Sequence, residues 1–260
     1  LDRMGADFYA DVASIRERLT AAAYPIQLPI GTEEHFVGTV NLLEKNARLY
    51  QGEDVMGRAF EDVPIPSDLI EQAAKWRAEL VEAIVEQDEK LMERYLAGTE
   101  PSLEELKATL RKATITGKLM PILCGSALKN KGVQYLLDSV VDYLPSPLEI
   151  PPVVGHDPKD KSKEIIRPAA DAEPFSGLAF KIATDPFVGK LCFVRVYSGA
   201  LAAGSYVLNT STGNKERIGR VVRMHANHQE ELEVVYAGEI AAVVGLKNTF
   251  TGHTLCDPNH

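Results

Sequence analysis

The sequence predicts an α/β part followed by an all-β barrel, and three observations carry that reading. Apolar residues recur at helical spacing through most of the first 144 positions, with short strand-like runs between them. From Phe175 the texture changes to short alternating runs punctuated by Gly199, Gly204, Gly213 and Gly238, the pattern of a small β-barrel. Between the two, residues 145–174 hold seven of the 15 prolines, which marks a stiff, solvated connector.

Each element follows from its local pattern. Phe8, Val12, Ile15 and Leu19 repeat at helical spacing, so residues 7–20 read as an amphipathic helix. Positions 24–50 are strand-like, with Pro25 and Pro29 at edges or bends and Gly31 and Gly38 at turns. Pro64 and Pro66 introduce Ser67 as the expected N-cap of a helical stripe, Leu69, Ala73, Trp76, Leu80, Ile84, Leu91 and Tyr95, which runs to Gly98 with one break. Pro101-Ser-Leu-Glu-Glu105 places Ser at the cap and Glu at N3, a capping box that opens a third helix ending at Gly117. The run 119–124 is too short for a helix and stops at Gly125, so it reads as a buried strand. Val133, Leu136, Leu137, Val140, Val141 and Leu144 share one helical face that Pro145 ends. In the second part Leu178, Phe180 and Ile182 alternate, as do Cys192, Val194 and Val196, then Tyr206 and Leu208; further runs cover 218–225 and 240–246.

Composition narrows the function classes. No apolar run approaches the roughly 18 residues of a membrane span, and no signal peptide opens the chain. The first residue is Leu1, so a preceding segment is expected. Cys124, Cys192 and Cys256 are sparse, odd in number and far apart, which argues against a disulfide framework and for a reducing, cytoplasmic setting. The net charge of −9 sits entirely in residues 1–150, with 25 acids and 16 bases, while residues 151–260 carry 12 of each. The first part is therefore a poor general nucleic-acid binder, and the second could bind RNA only through a local patch.

The stretch Leu119-Met-Pro-Ile-Leu-Cys-Gly-Ser-Ala-Leu128 concentrates the chemistry. Small residues just past a strand let the backbone approach a ligand, and α/β sheets bind ligands at that strand end. The amide after Ser126 could donate to a guanine carbonyl. A carboxylate such as Asp2 could take the two donors on the guanine edge, were an Asn-Lys pair to precede Leu1. Alone, Asp2 reads as a solvated acid and Ser126-Ala127 as an ordinary turn. His225-x-x-His228 and His253-x-x-Cys256 could be drawn as zinc ligands, but both pairs read as turn and strand-end residues, and no metal site is expected. Glu33-Glu34 and Glu104-Glu105 read as solvated or capping residues. Lys215, Arg217, Arg220 and Arg223, with His225, form one compact basic cluster opposed only by Glu216. Period-two geometry places Arg217, Arg223 and His225 on one face and Arg220 opposite.

Together these segments resemble a known family. Leu1-Asp-Arg-Met-Gly-Ala-Asp-Phe8, Gly125-Ser-Ala-Leu-Lys-Asn-Lys-Gly-Val-Gln134 and Asp142-Tyr-Leu-Pro-Ser-Pro-Leu-Glu-Ile-Pro-Pro152 are similar to bacterial elongation factor G. So are Phe193-Val-Arg-Val-Tyr-Ser-Gly199, Met224-His-Ala-Asn227 and Gly252-His-Thr-Leu-Cys-Asp257. The resemblance runs from end to end. It implies an α/β partial GTPase domain with an α/β insertion, followed by an all-β translation-factor barrel. The implied boundaries are 1–20 and 117–145 for the GTPase part, 21–116 for the insertion, 146–174 for the linker and 175–260 for the barrel. The 123 residues between Asp2 and Ser126 fit such an insertion.

By the same resemblance Asp2 is the acid of the Asn-Lys-x-Asp motif, and Ser126, Ala127 and Leu128 form the second guanine-binding loop. The implied function is GTP-dependent tRNA–mRNA translocation on the ribosome. A ribosomal protection factor, release factor 3 or a recycling-specialised paralogue shares the framework. The barrel is implied to meet small-subunit ribosomal RNA through Lys215, Arg217, Arg220, Arg223 and His225, and the insertion to meet the large-subunit stalk protein. GTP or GDP with Mg²⁺ belongs to the full-length parent. These 260 residues contain no Gly-x-x-x-x-Gly-Lys-Ser/Thr, so no nucleotide cofactor and no GTP hydrolysis are expected of them alone. As isolated, the chain is expected to be a non-catalytic ribosome-binding module.

Overall fold

The computed structural model describes residues 1–52, 57–157, 160–185, 189–225 and 228–260. Within the resembled motifs and the charged run, Ala226-Asn227 and Pro158-Lys159 lie outside the described residues. The chain divides into two compact units, Leu1–Leu144 and Pro145–His260.

In the first unit, α1 (Phe8–Arg18) begins where the Asp7 carboxylate accepts from the amides of Tyr9 and Ala10, satisfying two orphan donors. The chain then forms β1 (Ala23–Pro25), β2 (Gln27–Ile30), β3 (Gly38–Asn41), β4 (Asn46–Tyr50) and β5 (Phe60–Val63). Strands β2 to β5 make a four-stranded antiparallel meander in sequence order. Three helices follow, α2 (Ile70–Val85), α3 (Glu89–Leu96) and α4 (Leu103–Ile115). β6 (Met120–Ile122) then returns to pair with β1 in parallel, and α5 (Val133–Tyr143) closes the unit. Phe8, Val12, Leu28, Val40, Leu80, Ile84, Leu106 and Leu110 share one core.

Two local expectations fail here. Ser67 is not a cap: Ser67–Leu69 is itself a 3-10 turn that follows Pro66, and α2 begins at Ile70 with Leu69 at the N-cap and no side-chain capping bond. The run 119–124 is not a uniformly buried strand. Leu119 and Cys124 are buried, but β6 spans only Met120–Ile122, and Met120 is 40% exposed because β1 is its one partner strand. The capping box, by contrast, forms as read, with Glu105 N donating to Ser102 Oγ and Ser102 N to the Glu105 carboxylate.

In the second unit the proline-rich stretch is more than a connector. It folds a hairpin, β7 (Val153–His156) with β8 (Glu164–Arg167). The barrel strands follow as β9 (Ser176–Asp185), β10 (Gly189–Ser198), β11 (Ala200–Ala202), β12 (Tyr206–Asn209), β13 (Asn214–Arg217), β14 (Arg220–His225), β15 (His228–Leu232), β16 (Val234–Tyr236), β17 (Ile240–Val244) and β18 (Thr254–Cys256). Eight of them form an antiparallel sheet in the order β13-β12-β18-β9-β10-β17-β14-β15, and β11 pairs with β16. Ile218-Gly219, which joins β13 to β14, bonds to two other parts of the sheet: Ile218 N donates to Ser205 O, just before β12, at 2.9 Å and Gly219 N to Val244 O, on β17, at 2.8 Å.

Cys192, Val194 and Val196 point inward with Ala179, Val221, Ala241 and Val243. The Leu178–Phe180–Ile182 alternation does not hold as one face. A bulge at Phe193/Val194 shifts the register, so Ala179 and Ile182 pack inward while Phe180 is exposed.

Candidate functional site

The loop after β6 is built by the short bridge between Ser126 and Lys131. Ser126 N donates to Lys131 O at 2.8 Å and Lys131 N to Ser126 O at 3.0 Å. Ser126 is 2% exposed, whereas the side chains of Ala127 and Leu128 are exposed, Leu128 at 78%. The first residues of the chain lie against this loop. The Leu1 nitrogen donates to Gly125 O at 2.8 Å across 124 positions of sequence. Asp2 is thereby beside Ser126, and the hydrogen bond from the Ser126 hydroxyl holds the Asp2 carboxyl below its ordinary range. The Ser126 oxygen also accepts from Lys129 N at 3.1 Å.

This arrangement joins an ionised carboxylate to an exposed backbone turn. Because the Ser126 amide is committed to Lys131, the turn's outward donor is the next amide, that of Ala127. A purine edge with two adjacent donors and a neighbouring carbonyl matches that pair. Of the four residues expected to read guanine, Asp2, Ser126 and Ala127 fall in one place, and Leu128 follows them, exposed, in the same turn.

The basic cluster is arranged differently from its reading along the sequence. Lys215 and Arg217 lie on β13 at one end of the sheet order, and Arg220, Arg223 and His225 lie on β14 near the other. The break at Ile218-Gly219 cancels the parity argument that put Arg217 on the face of Arg223. Nor is Glu216 the opposing acid. It turns inward, 6% exposed, and accepts from Lys247 N at 2.7 Å, Asn248 N at 2.8 Å and Thr249 Oγ1 at 2.7 Å. The acids that face β14 come from elsewhere. Arg220 pairs with Glu231 at 2.9 Å, Arg223 with Glu239 at 2.8 Å and Glu230 at 3.6 Å, and His225 with Glu230 at 3.3 Å. Among the described residues no ion pair involves Lys215 or Arg217, and both are exposed.

Burial raises all three thiols above their ordinary range, that of Cys124 to about 12 and that of Cys192 to about 11. Among the described residues no three His, Cys, Asp or Glu side chains converge as metal ligands, and no helix is long and apolar enough to cross a membrane.

The comparisons with known proteins bear on this geometry. Residues 174–258 match the family model described as elongation factor G domain 2. A crystal structure of a Thermus thermophilus protein matches with a TM-score of 0.72 at 26% identity, over 99% of this chain and 36% of that one. The barrel is thus similar to that domain, and the fold as a whole, a mixed α/β part before an antiparallel barrel, is similar to that of the solved Thermus structure. Residues 174–258 carry the similarity to elongation factor G. The chain spans about a third of the length of the solved structure it matches.

Proposed function

We propose that this chain supplies the guanine-reading side of the nucleotide site of a translational GTPase, together with a barrel that docks on small-subunit ribosomal RNA, in GTP-dependent tRNA–mRNA translocation. The observation that carries the reading is the meeting of Asp2 with Ser126 at the end of β6. A carboxylate held ionised accepts from the N1–H and 2-amino group of guanine, and the Ala127 amide donates to O6. The residues fit the base alone: with no Gly-x-x-x-x-Gly-Lys-Ser/Thr in the sequence, nothing here fits the triphosphate or Mg²⁺. Leu128, exposed at the turn, covers the base's apolar face.

The test is a change of base preference. In the full-length protein, Asp2→Asn replaces an acceptor by a donor, which suits the 2-oxo group of xanthine. Affinity for GDP should fall at least about a hundredfold, since both hydrogen bonds go to a charged group, and XDP should bind better than GDP. An unchanged preference for GDP would remove Asp2 from the site.

A further inference from the structure

We propose that the four-stranded sheet β2–β5 is the platform on which the base-reading loop is set, with Tyr50 as its positioning residue. The inference rests on the guanine-reading assignment of residues 126–128. Tyr50 ends β4, is 7% exposed, and its hydroxyl accepts from Gly132 N at 2.8 Å. Gly132 turns the loop into α5 at φ +86, where a Cβ would meet Cys124 O at 2.9 Å, so this amide is fixed in a conformation open to glycine.

Contacts from the same sheet and its turns reach the neighbouring positions. Lys131 Nζ donates to Phe36 O at 3.0 Å, and Gln134 Nε2 to Gly57 O at 3.2 Å. At Gly57 an added Cβ would collide with Asn130 O, so the sheet's last turn abuts the loop backbone. Arg48 lies between the Phe60 ring, 3.8 Å from its centroid, and the Tyr135 ring, 4.3 Å away, while Asp62 holds its guanidinium at 2.7 and 2.8 Å. Positions 130, 131, 132, 134 and 135 are therefore all referenced to the sheet. The loop's own closure is the Ser126–Lys131 bridge, which leans on those same residues. Through that bridge the Ala127 amide takes its place from Tyr50. A partner that shifted the sheet would change the grip on the base, and the base would change affinity for that partner by the same factor.

The experiment compares GDP with 6-thioguanosine diphosphate in the full-length protein. The analogue keeps the N1–H and 2-amino donors that Asp2 reads but replaces O6 by a poorer acceptor. Tyr50→Phe keeps the ring and removes the hydroxyl. It should lower the preference for GDP over the thio analogue about fivefold, the order of one hydrogen bond, while the melting curve stays cooperative. General destabilisation would weaken both nucleotides alike and leave the ratio fixed. A folded Tyr50→Phe protein with the wild-type ratio overturns the proposal. Should that variant not fold, Gln134→Ala decides by the same ratio, with a smaller drop supporting the proposal and no drop overturning it. A protein whose base preference ignores Asp2→Asn overturns the guanine assignment itself, an outcome separate from a failure confined to Tyr50.

Discussion

Glu216 shows what a single residue can hide. Its neighbours Lys215 and Arg217 are exposed, and the period of a strand already implied that the residue between them faces the other way. What the sequence could not show is the loop that comes to meet it, Lys247 to Thr249, more than thirty positions on. Burial alone would raise the Glu216 pKa, but the donations from Thr249, Asn248, Asn209 and Lys247 outweigh it and hold the carboxyl below its ordinary range. A depressed folded pKa stabilises above the unfolded value, and that stability is lost as pH falls through the folded one. Glu216→Gln turns an NH₂ toward backbone N–H donors, so at neutral pH it should cost about 2–3 kcal/mol in denaturant unfolding. The gap between wild type and variant should narrow as pH drops below the ordinary carboxylate range. A gap independent of pH would mean that the charge contributes nothing. Asp2 and Ser126 were legible only as a resemblance, because no local pattern links residues so far apart. The ties from Tyr50, Arg48 and Lys131 to the loop carry no sequence signal at all.

Elements were legible where their ends are chemical. Asp7 before α1 and the Ser102/Glu105 box before α4 are caps that state their own position. Ser67 misled because Pro66 had already started a tighter turn, and the β9 stripe misled because a bulge shifts the phase. The basic edge misled in the same way: a strand break at Ile218-Gly219 separates two groups of cations that the sequence runs together. That separation bears on the RNA docking proposed above. On β14 the cations are already satisfied by Glu230, Glu231 and Glu239, so phosphate must compete with carboxylate, whereas Lys215 and Arg217 on β13 present their charge to solvent. Each cation that neutralises a phosphate contributes nearly one counterion to the salt dependence. Replacing Lys215 and Arg217 by Ala in the full-length protein should flatten the slope of log affinity for ribosomes against log salt by about one to two. Replacing Arg220 and Arg223 should change it less. Equal slopes in both variants and wild type would show that neither strand meets phosphate.

At the scale of the whole chain, the two units each keep a core of their own. The first cluster draws its residues from Phe8 to Tyr143, and both barrel clusters draw theirs from Phe175 to Leu255, so a cut at Leu144/Pro145 removes no buried side chain from either. The composition shift near residue 150 lies close to this division. Autonomy of the barrel follows from its internal bonding. Ile218-Gly219 bonds to Ser205 and Val244, and the buried Asn209–Glu216–Thr249 hydrogen bonds lie wholly within it. Residues 145–260 expressed alone should therefore unfold in one cooperative transition and show dispersed amide resonances. Residues 1–144 carry a heavier liability, because Leu136, Leu137, Val140 and Val141 leave α5 with an exposed apolar stripe. That piece alone should bind a hydrophobic dye more strongly than the barrel does. A barrel fragment that melts without cooperativity, or binds dye as strongly as residues 1–144, would show that the barrel needs the first unit to fold.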